Sequence, residues 1–216
     1  MSSTKVLANG VAVVGKIEIW AKGEKDLLDE FDNAVVYLEG GKTNIVEPVV
    51  SVDQKNKLFK PRVLALIKGQ KVNFYNRDKI SHNVFSTDQK NEFDLGRYPK
   101  GEFKQVTYNE KGLHKVYCNI HQSMILDILV LDYPHFSVTD KKGSYSISNV
   151  PEGKYQLKVW HIYGGQYSTE IEIKKSDIEL PKIKLTNASF VKDVIKHKNK
   201  QGKKYRKKRR GGRGKY

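Results

Sequence analysis

The stretch GLHKVYCNIHQSMILDILVL, residues 112–131, contains two predicted β-strands joined by a short loop. Alternating apolar and polar side chains mark the first strand over 113–118, and a nearly continuous apolar run marks the second over 125–132. Between them, Cys118, His121 and Met124 are spaced as Cys-x-x-His-x-x-Met. The only cysteine of the chain and its only internal methionine are thus six residues apart, with a histidine midway. Three side chains that bind soft metal ions therefore lie in one loop.

Outward from this loop, a period of two dominates the sequence and a period of 3.6 is nearly absent, which predicts an all-β protein. Glycine-containing turns separate short strands at intervals that are typical of sandwiches and barrels. Only residues 25–32 have the pattern of a helical turn or two. The other predicted strands are 11–20, 34–39, 43–51, 62–67, 71–75, 82–86, 103–108, 136–140, 144–149, 154–161, 167–173 and 182–186.

A second histidine, His82, begins another short strand 36 residues before Cys118. Copper alternates between Cu(I), which favours sulfur, and Cu(II), which favours nitrogen. Two imidazoles and a thiolate in one plane, with a long axial thioether, serve both states. Each residue alone has a structural interpretation: Cys118 as a small buried apolar side chain, Met124 as an apolar side chain of the core, and His82 as a hydrogen-bonded core histidine. In combination they predict a site for one copper ion.

Residues 60–133 resemble the cupredoxins, the small blue-copper proteins. Within that family the resemblance is to the plastocyanin/amicyanin group and most of all to its methylamine-utilisation-type members. It implies a Greek-key β-sandwich in which His82, Cys118, His121 and Met124 are the copper ligands. The matching stretches are KGQKVNF (68–74), HNVF (82–85), FDLG (93–96) and GLHKVYCNIH (112–121).

Residues 136–161 resemble a second family, the carboxypeptidase regulatory-like or transthyretin-like β-sandwich, which implies a fold and no activity. The matching stretches are VTD (138–140), GSYSI (143–147), VP (150–151), GKYQL (153–157) and VW (159–160). The predicted domains are a cupredoxin-like copper-binding unit over 10–133, a small β-sandwich over 134–186 packed against it, and a disordered basic tail over 187–216. Residues 10–39 also look like the second family, so which unit their strands join stays open.

The other histidines and two asparagines have predicted roles outside the ligand set. His114 shares strand parity with Cys118 and is expected to be a core side chain. His135, His161 and His197 have no neighbours at ligand spacing and are expected to be structural or on the surface. Asn83 and Asn119 are either hydrogen-bond partners that join the ligand loop to the His82 strand or simple turn residues.

The formal net charge of +16 is concentrated in residues 192–216, which hold thirteen Lys or Arg and one acid. The tail is expected to bind a polyanion or an acidic surface. Nucleic acid is the less favoured partner, because only Tyr205 and Tyr216 could stack on bases. The sequence contains no run of eighteen apolar residues, so no transmembrane helix is predicted.

The leading hypothesis is a mononuclear type 1 copper protein that carries one electron at a time to an unidentified redox protein. The alternatives are a copper-binding or delivery protein without redox turnover, and a structural β protein that binds polyanions through its tail. An enzyme is not expected, because a trinuclear copper site needs His-x-His pairs and a binuclear one needs two cysteines.

A periplasmic or extracellular location is expected. No leader is visible near Met1, so the chain is either cytoplasmic or an exported protein without its leader.

Overall fold

The computed structural model describes residues 10–21, 33–40, 48–188 and 198–203, and in these ranges the fold is all-β, as predicted. No helix long and apolar enough to cross a bilayer occurs in this part of the chain. The strands are β1 (Val11–Ala21), β2 (Val35–Glu39), β3 (Val50–Lys55), β4 (Leu58–Lys60), β5 (Val63–Ile67), β6 (Lys71–Asn76), β7 (His82–Ser86), β8 (Phe93–Tyr98), β9 (Phe103–Thr107), β10 (Gly112–Tyr117), β11 (Ile125–Leu131), β12 (Phe136–Val138), β13 (Ser144–Val150), β14 (Gly153–His161), β15 (Gly165–Ile173), β16 (Ile178–Glu179) and β17 (Ile183–Ala188).

The first sandwich consists of two sheets, one of five strands in the order β5-β11-β10-β7-β8 and one of four in the order β4-β3-β6-β9. Inward-facing side chains of both sheets form one apolar core, which also contains Cys118 and Met124. Strand β11 lies between β5, to which it is parallel, and β10, to which it is antiparallel. The ligand loop therefore joins two neighbouring strands at one end of the sandwich.

The second sandwich is built from both ends of the described chain. Strand β1 pairs with β13, β16 and β17, while β2 lies between β12 and β14 in a sheet that continues to β15. Side chains of β1 and β2 share one core with those of β13, β14 and β17. Strands β1 and β2 thus lie in this sandwich, whereas the predicted copper-binding unit over 10–133 included them. We propose a division into a copper domain over 48–131 and a second domain formed by the described residues 10–21, 33–40 and 134–188.

A third apolar cluster joins the two sandwiches. It contains Val63 and Ala65 of β5 and Leu129 and Leu131 of β11, packed with Val35 and Trp160 of the second sandwich. All seven residues of β11 are buried, because one face of the strand points into the copper domain and the other is covered here. A strand covered on both faces reads as a continuous apolar run, which explains the pattern at 125–131.

The sequence pattern does not predict the strands β4, β8 and β16, and β3 overlaps the predicted strand 43–51 only at residues 50–51. The helical turn predicted at 25–32, the first part of strand 43–51 and most of the tail lie outside the described residues.

Candidate copper site

The fold brings His82, Cys118 and His121 together at the end of the first sandwich. His82 is the first residue of β7, Cys118 directly follows β10, and His121 lies in the loop before β11. The two Nδ1 atoms are 3.1 Å apart, and Cys118 Sγ lies 3.9 Å from His82 Nδ1 and 3.7 Å from His121 Nδ1. Among the described residues, no other group of three or more His, Cys, Asp or Glu side chains has this arrangement.

Met124 lies at the end of the ligand loop and is hydrogen-bonded to its other residues through the backbone. Its backbone N–H donates to the carbonyl of His121 at 3.1 Å, and its carbonyl accepts from the N–H of Cys118 at 3.2 Å. Its side chain is fully buried in the same core cluster as Cys118. These contacts fix the backbone of the loop between its first and last predicted ligands.

The electrostatics of the site favour a thiolate at Cys118. Burial raises the pKa of this thiol, but hydrogen bonds from His82 and from the backbone N–H groups of Asn83, Ile120 and His121 outweigh burial and lower the pKa below its ordinary value. A thiolate is the form of cysteine that binds metal ions.

Asp78, which the sequence analysis missed, contacts the far side of the His82 ring. Its Oδ2 lies 2.7 Å from His82 Nε2, and its two carboxylate oxygens also accept the backbone N–H groups of Asn56 and Lys57 at 2.6 and 2.9 Å. Burial raises the pKa of Asp78, but these hydrogen bonds outweigh it and the pKa is lowered. A carboxylate on the distal nitrogen fixes the tautomer of a histidine ligand and leaves the other nitrogen free for a metal ion.

Asn83 connects the ligand loop to β7 and β8. Its Oδ1 accepts the backbone N–H of Asn119 at 3.2 Å, and its Nδ2 donates to Asp94 Oδ1 at 2.6 Å. The first of these bonds supports the hydrogen-bonding alternative for the Asn83 side chain, whereas Asn119 takes part in it only through its backbone N–H.

A short segment near the C-terminus also reaches this network. The backbone N–H of Lys200 donates to Asn119 Oδ1 at 2.9 Å, and its Nζ donates to Asp94 Oδ2 at 2.6 Å. Asn199 and Lys203 form a turn in the same segment. Residues 198–203, which belong to the predicted basic tail, therefore contact the ligand loop and Asp94.

His114 lies apart from the site, as predicted. It is 1% exposed, its Nε2 lies 2.7 Å from the carbonyl of Glu110, and its Nδ1 lies 2.9 Å from Asp88 Oδ2. His161 accepts the backbone N–H groups of Tyr163 and Gly164 in the second sandwich. His197 lies outside the described residues.

The three donors fit a transition-metal ion. Two imidazole nitrogens and a thiolate bound to one ion at bond lengths of about 2.0–2.3 Å lie roughly 3–4 Å from one another, and the three separations here are 3.1, 3.7 and 3.9 Å. A trigonal set of two histidines and one cysteine is the donor set of copper sites that transfer electrons.

Residues 46–131 match the family model of copper-binding proteins of the plastocyanin/azurin family. Similar solved structures include a Cu(I) form of an amicyanin variant, at 16% identity over 44% of this chain and 98% of that one, with a TM-score of 0.37. A copper-containing nitrite reductase from Thermus scotoductus SA-01 is 23% identical over 45% of this chain and 26% of that one, with a TM-score of 0.38.

A purple cupredoxin from Nitrosopumilus maritimus is 20% identical over 38% of this chain and 99% of its own, with a TM-score of 0.34. No curated protein matches the chain. Together with the donor geometry, the family match supports a cupredoxin-like copper-binding domain over residues 46–131, which is less than half of the chain. Its cofactor is one copper ion.

Proposed function

We propose that this protein is a one-electron carrier with a type 1 copper site held by His82, Cys118, His121 and Met124. The observation that carries the proposal is the triangle of two Nδ1 atoms and one Sγ, formed by a fully buried cysteine and two histidines. Copper supplies a single-electron change between Cu(II) and Cu(I) in such a donor set.

The chain's own residues hold this donor set in one geometry. Asp78 orients His82, Asn83 holds the backbone N–H of Asn119, and the Met124 backbone closes the loop. Donors that are fixed before the electron arrives reorganise little when it moves. His121 is half-buried, whereas His82 is fully buried, so His121 is the ligand through which an electron can reach the surface.

The proposed role is that of a carrier, because a mononuclear set of two histidines and one cysteine is suited to the transfer of single electrons. The partner is then another redox protein. We place the protein outside the cytoplasm, since a copper–thiolate carrier suits the periplasm or cell surface.

Copper loading tests the proposal directly. We expect the protein to bind one Cu(II), to show an intense blue absorption with the EPR signal of a type 1 site, and to cycle between oxidised and reduced forms. Cys118→Ser abolishes the blue band, because the band arises from charge transfer out of the thiolate. Rapid loss of colour to an exchangeable Cu(I) form would instead favour the copper-delivery function.

A matched pair of histidine variants tests the ligand set. His82→Ala removes a proposed ligand, whereas His114→Ala removes a buried histidine outside the site. We expect copper retention to fall far more in the first variant. Equal losses in the two variants would contradict the assignment of His82.

A further inference from the structure

A groove lined by basic side chains lies beside the copper site. It has a volume of about 540 Å³ and is formed by the turn at 55–57 and the loop at 77–80; we call it the basic groove. Asn56 and Lys57 both have φ of 57°, as a tight hairpin turn requires, and Asp78 binds both of their backbone N–H groups. The shape of the basic groove is therefore fixed by the same carboxylate that contacts His82.

The positive charge of the basic groove is not neutralised from within. Lys55, Lys57 and Lys79 are exposed, and none of them has an ion-pair partner among the described residues. Arg77 pairs with Asp53 at 3.2 Å. Among the described lining residues Asp78 is the only acid, and its oxygens already accept hydrogen bonds. The basic groove thus presents three unpaired ammonium groups to solvent.

Two contacts join the basic groove to the copper ligands. Asp78, in its lining, lies 2.7 Å from His82 Nε2, so one hydrogen bond separates the wall of the groove from the His82 ring. Ser123 of the ligand loop donates to the carbonyl of Lys57 at 3.5 Å. Leu58 and Ile80, next to these residues, are each 42% exposed. Lysines around exposed apolar side chains, beside a redox centre, are suited to a protein surface that carries carboxylates.

We propose that the basic groove is the docking site for a carboxylate-rich surface of the redox partner, which it would hold beside the copper ligands. The proposal rests on the proposed carrier function and adds the chemistry of the partner and its place on this chain. Charge complementarity at such a site raises the rate of productive encounter, and salt weakens the effect.

The test compares two triple variants of the full-length, copper-loaded protein. One carries Lys55→Gln, Lys57→Gln and Lys79→Gln in the basic groove. The control carries Lys141→Gln, Lys142→Gln and Lys175→Gln, which are exposed lysines of the second sandwich. Both variants lose the same charge and keep the C-terminal tail, so only the position of the lost charge differs.

Two quantities are measured at low and high salt: binding of a fluorescent oligoglutamate peptide, and the rate at which hexacyanoferrate(II) gives one electron to the oxidised protein and becomes hexacyanoferrate(III). We expect both to fall roughly tenfold at low salt in the groove variant and less than twofold in the control, with the difference shrinking at high salt.

Equal losses in the two variants would overturn the proposal, because net charge or the tail would then explain the attraction. Loss of peptide binding without loss of electron-transfer rate would overturn it as well, since the groove would bind acidic chains without serving the copper. Copper content and the optical spectrum are recorded for every sample. A failure of the carrier function therefore appears as missing copper or a missing blue band, separately from a failure of docking.

Discussion

Replacing Asp78 by Asn tests how far the protein tunes its proposed copper site through His82. The carboxylate accepts three hydrogen bonds, from His82 Nε2 and from the backbone N–H groups of Asn56 and Lys57. An amide can accept only through its oxygen, so in either orientation its NH₂ group faces one of these donors. Asp78→Asn therefore removes a negative charge and breaks at least one hydrogen bond while preserving the size of the side chain.

The magnitude follows from the distance between the carboxylate and the ligand atom. An ion on Nδ1 of His82, at a bond length of about 2 Å, lies roughly 6–7 Å from the carboxylate. At an effective dielectric constant of about 20, that separation corresponds to about 2.5 kcal/mol. Asp78 retains 13% side-chain exposure, which screens part of this energy. We therefore expect the reduction potential to rise by about 50–110 mV, because the lost charge stabilised Cu(II) more than Cu(I). Cu(II) affinity falls by about 10–100-fold.

Voltammetry and competition with a copper chelator measure the two quantities. Asp53→Asn is the matched control, because Asp53 is a nearby acid that pairs with Arg77 and has no described contact with a proposed ligand. We expect the control to shift the potential by less than about 20 mV, as for an exposed, screened charge. If both variants shift the potential equally, or if Asp78→Asn lowers it, the role of Asp78 as a tuning partner of His82 is refuted.

Three further variants probe other parts of the molecule. Met124→Leu is expected to keep copper bound and to change the potential, since an axial ligand tunes the site and does not anchor it; loss of copper would contradict this. Lys200→Gln removes the ion pair with Asp94, whose other oxygen accepts from Asn83, and should alter the EPR spectrum and speed copper release, although the backbone bond from Lys200 to Asn119 remains. Lys203→Gln, with the same charge change, should do neither; identical behaviour would reduce the contact to a surface ion pair. Trp160→Ala should lower the free energy of unfolding by about 3 kcal/mol with the blue band unchanged, and a loss of the band would show that the domain interface supports the site.

The sequence was sufficient to predict the grouping of the donors and the strands β5–β7 and β9–β11 of the copper domain, but not β4, β8 or most of β3. Strands with one face in a core show a period of two, and a Cys-x-x-His-x-x-Met loop places its ligands through local geometry alone. His82 is the hardest ligand to predict. It lies 36 residues before Cys118, and only the pairing of β7 with β10 brings it to the ligand loop.

Asp78 and Lys200 could not be predicted from the sequence in the same way. Asp78 precedes His82 by four residues, but outside a helix this spacing does not bring two side chains together. Their contact depends on the path of the loop at 77–81, which the turn at 56–57 holds in place. Lys200 is 81 residues from Asn119, and in a tail rich in Lys and Arg nothing distinguishes the one lysine that binds Asp94 from its neighbours.

The position of β1 and β2 was left open because both sandwiches use the same alternation of side chains. The structure places β2 in the second sandwich, because β2 pairs with β12 and Tyr37 is opposite Phe136. The chain therefore leaves the second sandwich after β2 and returns to it at β12, in the strand beside the one it left.

This pairing makes the copper domain an insertion into the second sandwich. An insertion is tolerated where its two ends lie close together, and the hydrogen-bonded strands β2 and β12 meet that condition. The second sandwich also covers the outer face of β5 and β11 with Val35 and Trp160, while Ile80 and Ile120, at the ligand end, stay exposed. Held at both termini and along one face, the copper domain presents its ligand end to solvent. The arrangement suits a scaffold that orients the proposed copper site and, in the part of the chain that the structure describes, contributes no donor atom to it.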